Sequence, residues 1–456
     1  MRHLHYNQML KAIPFIFWLL LYSSNSFCQN SIITSTDTEV AKEIKTVLVD
    51  KVLHKWYPVI IDSVNGGFYT NFSYDWKRMR VQEKMIVSQS RDIWTACKAA
   101  EHFPNDKRYH KAADHGFAFL TNTMWDKKEG GFFTYANQKE YYSIWDCKNT
   151  YGNGFAIYAL AAYFRLSHKP EALELAKKAF YWLDSMSHDN KYGGYISFLC
   201  KPNTNFGPSG AYRSDLKDFN ASIHIMEALA ELYQVWPDTK VKSRLSEMLS
   251  LIRDTFMSPK GYLQLYFTYD WKHISLKDST EATIRKYIDQ DHVSYGHDIE
   301  TAFLLLETSK SLGLKHDTLT LKVAKRLIDH TLAQGFDTNY QGIFDGGYYF
   351  KGSDKTTVVM KDKNWWSQAE GLNALLLFSK LYPGEKNYKQ AFYQLWDYVK
   401  KNLIDYEHGD WYISGLDSNP NAKSQPKATA WKCNYHTGRA LMNCMDLLEG
   451  KDILKE

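Results

Sequence analysis

No two of the six cysteines stand in a CxxC pair, and their spacing is wide. That pattern indicates neither a zinc site nor a disulfide framework. HExxH is missing, which removes the usual helical zinc-protease signature. The G-x-S-x-G elbow of α/β-hydrolases is absent too, as is every Walker or dinucleotide glycine pattern. The net charge of +5 comes without a basic block, and Lys and Glu are interspersed throughout. Such a surface carries no nucleic-acid footprint. Beyond the N-terminus no apolar run is long enough to span a bilayer.

Aromatic side chains are abundant, with 14 Trp and 32 Tyr. They serve either to pack helices against one another or to stack on the flat faces of sugars. The first 28 residues read as an export signal. Arg2 and Lys11 give a positive start, Ile13 to Leu21 form a short apolar run, and Ser26-Phe27-Cys28 precede Gln29 with small residues at the minus-three and minus-one positions. Phe27 is a poor neighbour for a lipidated Cys28. The expectation is cleavage after residue 28 and a soluble periplasmic or secreted protein without a membrane contact; a retained N-terminal anchor is the alternative. Residues 29–456 contain no linker or composition shift and read as one domain. The remaining cysteines, Cys97, Cys147, Cys200, Cys433 and Cys444, read as small buried residues.

A repeat organises the chain. Glycine-aromatic segments recur at Gly66-Gly67-Phe68-Tyr69, Gly130-Gly131-Phe132-Phe133, Gly193-Gly194-Tyr195, Gly261-Tyr262, Gly346-Gly347-Tyr348-Tyr349 and Gly409-Asp410-Trp411-Tyr412. The spacing is about 65 residues, with a longer gap before Gly346. Between these punctuation marks lie paired amphipathic stretches with apolar residues every three to four positions. They are Ser88–Phe103 with Arg108–Trp125, Tyr151–Leu166 with Pro170–Met186, and Asp218–Trp236 with Lys240–Phe256. Val293–Leu312 with Asp317–Leu332, Trp365–Leu381 with Asn387–Leu403, and a closing stretch near Ala428–Leu448 partnered by Thr38–Trp56 complete six pairs. Six helical hairpins without capping repeats predict a closed all-α (α/α)6 barrel, with short β-hairpins or loops at the mouth; an open superhelix is the rival.

Residues able to do chemistry cluster at helix starts. His297 and Glu300 share a helix face, and a carboxylate beside an imidazole fixes its tautomer and raises its basicity. Asn220 and His224 share another face. His436 stands where an irregular stretch enters the last helix. Arg91, Tyr151, Trp366, Glu370 and Trp431 occupy comparable positions in other repeats. In a closed barrel these positions converge on one mouth. Helical di-metal sites use Glu-x-x-His with two further glutamates, the reverse of His297-x-x-Glu300, so no metal site is expected.

At these residues the sequence resembles the N-acylglucosamine 2-epimerase superfamily, and within it the cellobiose and mannobiose 2-epimerases. Ser294 to Glu300, Trp365 to Glu370 and Trp431 to Ala440 carry the likeness. The resemblance implies an (α/α)6 barrel that inverts carbon 2 of the reducing-end sugar of a disaccharide without a cofactor. It implies His297 and His436 as the acid/base pair and His224 as the residue assisting ring opening. Arg91, Tyr151, Asn220, Glu300, Trp366, Glu370 and Trp431 become substrate-contacting or supporting residues. The expected partner is a small reducing carbohydrate. Phe303, Ser222 and Asn153 stand where such epimerases carry Trp, His and Gln, which puts the substrate in question more than the chemistry, and Phe303 is expected to reshape the sugar pocket.

Carbon-2 inversion needs a proton removed beside a carbonyl and returned to the other face. Histidine suits both steps because its pKa lies near neutrality. Returning the proton to carbon 1 instead gives a ketose, so an aldose–ketose isomerase would use a similar set. A glycoside hydrolase on the same barrel would need two carboxylates flanking the bond. A sugar-binding protein that kept the barrel without turnover is the third rival.

Overall fold

Among the described residues, six helices are buried on nearly every face and their partners carry apolar residues on one face only, which is the composition of an inner and an outer ring. The computed structural model describes residues 35–136, 147–200 and 216–454. The segment expected to act as an export signal, with Cys28, lies outside the described residues. In chain order the helices are α1 (Ser35–Thr46), α2 (His54–Trp56), α3 (Ile86–His102), α4 (Lys107–Phe119), α5 (Thr150–Ser167), α6 (Pro170–Ser187) and α7 (Phe219–Val235). There follow α8 (Thr239–Ser250), α9 (Glu281–Lys286), α10 (Tyr295–Ser311), α11 (Thr318–Gln334), α12 (Trp365–Leu381), α13 (Lys386–Asn402) and α14 (Tyr435–Leu448).

The inner ring closes. α3 packs on α5, α5 on α7, α7 on α10, α10 on α12, α12 on α14, and α14 returns to α3. Each has an outer partner: α4 on α3, α6 on α5, α8 on α7, α11 on α10, α13 on α12, and α1 on α14. This is the (α/α)6 barrel expected from the repeat. Because an outer helix brings the chain back before each inner one, with α1 preceding α3 and α13 preceding α14, all six inner N-termini gather at one pole. Close approach in the ring depends on small residues. A Cβ on Gly152 of α5 would stand 2.4 Å from Ile86 of α3. Among the described residues no helix is long and apolar enough to cross a membrane.

The glycine-aromatic segments form tight turns that follow the outer helices. Each closes through a single antiparallel bridge: Ile61 with Phe68, Trp125 with Phe132, His188 with Tyr195, Met257 with Leu263, Phe336 with Ile343, and Ile404 with Trp411. Gly130 and Gly131 show why glycine is needed, since both have φ of +73° and a Cβ on Gly131 would meet Trp182 at 2.6 Å. The fifth turn corrects the sequence reading. It is Gln341-Gly342-Ile343, with φ of +67° and +81° at its first two residues, whereas Gly346–Tyr348 is a strand.

Several other boundaries differ from the sequence pattern. Residues 428–434 are not helical. Ala428 bridges to Phe72, and the Thr429 hydroxyl accepts from the amides of Trp431 and Lys432, so local side-chain bonds compete with the helix until Tyr435. The outer helices α4 and α8 end in wider turns, Leu120–Met124 and Leu251–Thr255. The expected mouth hairpins are mostly short ladders between distant segments. Lys84–Met85 pairs with Tyr135–Ala136, and Lys217–Asp218 with Tyr266–Phe267. Only Gly346–Tyr348 with Thr357–Met360 makes a hairpin among the described residues. These ladders tie the start of one inner helix to the segment after the next turn, which fixes the first turns of the inner helices where the candidate residues stand.

Candidate active site

Lysines, three of them buried and Lys148 partly so, anchor the inner-helix starts. Lys84, Lys148, Lys217 and Lys363 stand two residues before α3, α5, α7 and α12. Each reaches an aspartate and a backbone carbonyl of the preceding turn: Asp62, Asp126, Asp189 and Asp337 at 2.6–2.8 Å. Amide side chains fasten the same turns from the helix side. Gln89, Asn153 and Gln368 each accept from and donate to the backbone of Phe68, Phe132 and Ile343. Asn153 is therefore engaged with a turn, and Ser222 with the Asp218 carbonyl at 2.7 Å.

The result is a common register around the barrel axis. Arg91, Phe155, His224, Glu300 and Glu370 are each the sixth residue of their inner helix, and Arg439 is the fifth of α14. Tyr151, Asn220, Trp366 and His436 are second residues, and His297 is a third. The second and third positions lie nearest the mouth.

The three histidines each have a defined Nδ1 partner. His436 Nδ1 lies 2.6 Å from Glu370 Oε1, and His224 Nδ1 lies 2.8 Å from Glu227 Oε2. An imidazole nitrogen facing a carboxylate carries the proton, so both rings turn Nε2 away from their carboxylates. Ser294, where a hydroxyl ordinarily caps a helix, instead places its Oγ 2.7 Å from His297 Nδ1. A hydroxyl donates or accepts, so His297 keeps this bond in either tautomer. The rings of His297 and His436 both stand against the Trp366 indole, with centroids at 4.5 and 5.8 Å. His224 lies 5.3 Å from the Tyr151 ring, edge-on, and Trp431, more than half exposed, tilts over Tyr151 at 6.4 Å. Arg91 donates to the Tyr151 hydroxyl at 2.7 Å and lies over the Phe155 and Tyr435 rings.

Burial sets the charge states. It pushes His297 well below the ordinary imidazole range, with His224, His292 and His436 adding to the effect. His436 is likewise held low by burial, then by Arg91 and Arg439. Both are neutral near pH 7, the state a base requires. Burial, then the neighbouring Glu370, raises Glu300 to about 7. Glu227 shows the opposite outcome: burial alone would raise it, but Arg439 and the His224 bond hold it down at about 2.

One expected pairing is overturned. Glu300 does not orient His297, although the two share a helix face. Its Oε1 accepts from Arg439 Nη2 at 2.6 Å and lies 3.8 Å from His436 Nδ1. Arg439 draws it inward because an unpaired buried carboxylate costs more than the bond to a neutral imidazole returns. Glu300, Glu370 and His436 also place ligand atoms within 4.8 Å of one another, the spacing of a cation site. The cation there is Arg439, whose Nη2 lies 2.6 and 2.7 Å from the two carboxylates.

The N-acylglucosamine 2-epimerase family model matches residues 67–440. The chain belongs to this family. It is an enzyme of the epimerase and isomerase kind. It is 28% identical to a cellobiose 2-epimerase of Bacteroides fragilis, covering 90% of this chain and 99% of that one. It is 26% identical to a D-mannose isomerase of Marinomonas mediterranea, covering 88% and 95%. Among solved structures, a cellobiose 2-epimerase of Spirochaeta thermophila superposes with a TM-score of 0.77 at 25% identity, covering 92% and 99%.

Within this member of the family the structure gathers His224, His297, His436, Arg91, Tyr151, Glu300, Trp366 and Glu370 at one end of the barrel, with Trp431 at the rim. Asn220 lies one turn before His224 on α7, and its buried Oδ1 has no hydrogen-bond partner among the described residues. Phe303 does not shape the mouth. It lies deeper, beside the Arg439 guanidinium, and lines a cavity of about 370 Å³ at the opposite pole with Trp94, Glu307 and Met442. Glu227, Tyr435 and Arg439 were missed as site residues. The signal for Arg439 was present, since aligning the repeats on their lysines puts it in register with Arg91 and His224.

Proposed function

We propose that this chain inverts carbon 2 of the reducing-end sugar of a disaccharide of the cellobiose or mannobiose type, outside the cytoplasm. The supporting observation is the pair of neutral imidazoles, His297 and His436, set against one Trp366 indole. A sugar ring on that indole would present carbon 2 between two bases. His224 and Arg91, at the sixth positions, would assist opening of the ring and hold the carbonyl oxygen. One imidazole removes the carbon-2 proton through Nε2, giving an enediolate whose oxygens need donors already in place. The other imidazole, charged by taking the anomeric hydroxyl proton as the ring opens, returns that proton to the opposite face, and ring closure takes the proton back from the first. The carboxylate behind His436 stabilises its charged form, and the Ser294 hydroxyl serves His297 in both tautomers, so the roles can exchange and the reaction run either way.

A hydrolase is the weaker reading. Both mouth-side carboxylates, Glu300 and Glu370, are tied to Arg439, and neither stands as a free acid opposite a second. The aldose–ketose reading keeps the same proton abstraction and differs only in where the proton returns. Export rests on the pattern of the first 28 residues.

The deciding experiment is incubation with cellobiose and mannobiose in deuterated water. The expected product has the starting mass, a deuteron at carbon 2 and an inverted carbon 2, and His297→Ala and His436→Ala each abolish it. A ketose product replaces the epimerase reading with the isomerase one. Exchange that survives in both variants overturns the assignment of the bases.

A further inference from the structure

We propose that Arg439 is a positioning residue that couples two histidines of the site, His224 and His436, through one unbroken chain of buried hydrogen bonds. The inference rests on the functional reading above, yet the coupling belongs to the folded chain and can be measured without turnover.

The chain of bonds is short and complete. His224 Nδ1 meets Glu227 Oε2 at 2.8 Å, and Glu227 Oε1 accepts from Arg439 Nη1. Arg439 Nη2 donates to Glu370 Oε1 at 2.7 Å, and the same oxygen accepts from His436 Nδ1 at 2.6 Å. A branch runs from Nη2 to Glu300 at 2.6 Å, and the Tyr435 hydroxyl bonds both Glu227 and the guanidinium. No member of the main chain is more than 6% exposed. With water excluded, each bond polarises the next, so a charge gained at one end is felt at the other. The two histidines come from helices on different sides of the ring, α7 and α14, and the bonds through Arg439 join their carboxylates.

The charge environment comes from every inner helix. α3 contributes Arg91, α5 contributes Tyr151 and Tyr158, and α7 adds Glu231 beyond Glu227. α10 adds His297 and Glu307 beyond Glu300, and Cys433 precedes α14. Of these, only Glu227, Glu300, Glu370 and Tyr435 are hydrogen-bonded to the guanidinium among the described residues. A lysine could not replace the fork. Its ammonium is a point charge, whereas the planar guanidinium presents two fixed nitrogens, Nη1 to Glu227 and Nη2 to Glu300 and Glu370, at once.

The rival explanation makes Arg439 a counter-ion that merely balances three carboxylates. NMR on the full chain labelled with ¹⁵N-histidine separates the two. Glu227→Gln alters the partner of His224 and touches nothing on His436. Coupling predicts that it shifts the His436 Nδ1–H resonance as well as that of His224, and that in an Arg439→Lys background the His436 shift vanishes. A shift confined to His224 overturns the proposal. If Arg439→Lys does not fold, Tyr435→Phe serves, because it removes a hydroxyl from the relay while leaving the ring against His436; it too must move both resonances. In activity, Arg439→Lys is expected to lower kcat about tenfold or more by loss of charge-assisted bonds, displace the acid limb of the pH profile, and leave KM within about threefold. An unaltered pH profile with only a weakened fold supports the counter-ion. A chain that turns over no disaccharide yet shows the paired shifts leaves the coupling standing and removes the epimerase reading instead.

Discussion

Replacing Glu370 by glutamine isolates what a carboxylate contributes to a buried base. The side chain keeps its shape and still accepts the His436 Nδ1–H bond, which is 2.6 Å long in the parent, but it no longer carries charge. A hydrogen bond to a charged group contributes about 1.5–3 kcal/mol. The imidazole becomes positive only as it takes the substrate proton, so the loss falls on the transition state and not on binding. At about 1.36 kcal/mol per decade, kcat falls roughly 10- to 150-fold. KM stays within about threefold, because Glu370 lies behind the imidazole and not against the sugar. The direction of the pH effect follows from the same geometry. Burial already presses His436 well below the usual imidazole range, and removing the carboxylate lowers it further. The acid limb of kcat therefore moves to lower pH while the plateau drops. The guanidinium keeps Glu227 and Glu300 as partners, so the variant folds, which a urea midpoint checks. Initial rates of mass-neutral conversion of cellobiose and mannobiose, followed by NMR from about pH 5 to pH 9, give both quantities. A kcat within about twofold of the parent with an unmoved acid limb refutes the reasoning, because it would mean that the buried carboxylate does not set the strength of this base.

Two stability predictions follow from groups outside the reacting layer. Burial, with Glu227 and Glu231 nearby, raises Glu307 to about 7. A carboxyl whose folded value is raised stabilises below its unfolded value and loses that contribution as pH rises through 7. Glu307→Gln should therefore gain on the parent by about 1–3 kcal/mol between pH 4.5 and pH 8, after allowing for screening at the open side of its cavity; urea midpoints that run parallel across that range would contradict it. Asn153→Ala strips both partners from the buried backbone of Phe132, and should cost about 2–4 kcal/mol by the same measurement, against under about 1 for Ser222→Ala, which loses one bond to a carbonyl.

The barrel was legible because its causes are periodic. Apolar recurrence marks twelve long helical segments, and glycine pairs mark turns that require positive φ. The fifth turn was misplaced for a physical reason. Gly346-Gly347-Tyr348 has the right composition, but Gln341 accepts φ of +67° and leaves the true turn with one glycine. Composition records the easy solution to a backbone demand and misses a residue that tolerates strain. The histidines were legible as helix-start residues. Their carboxylates were not, because helical adjacency suggested that Glu300 serves His297. A residue 139 positions away decides otherwise, and local spacing carries no information about it.

The register of the ring explains why such a long-range partner is unavoidable. When parallel helices close around an axis, residues of equal rank meet in one layer. Second and third positions supply Tyr151, Asn220, Trp366, His297 and His436, the layer nearest the mouth. One turn deeper, about 5 Å along the axis, the sixth positions bring Arg91, Phe155, His224, Glu300 and Glu370 together, with Arg439 beside them. A turn below that, Trp94 and Tyr158 stack with centroids at 5.2 Å and close the floor together with Phe303. The middle layer cannot hold two ionised carboxylates in a dry interior without a cation among them. Glutamates chosen to orient an imidazole thus require an arginine on another helix of the same ring, and its identity follows from charge balance in the layer, not from proximity in sequence. The same logic divides the chemistry by depth, with neutral bases and aromatic walls above, paired charges in the middle, and aromatic rings below, where the cavity of the opposite pole reaches Arg439.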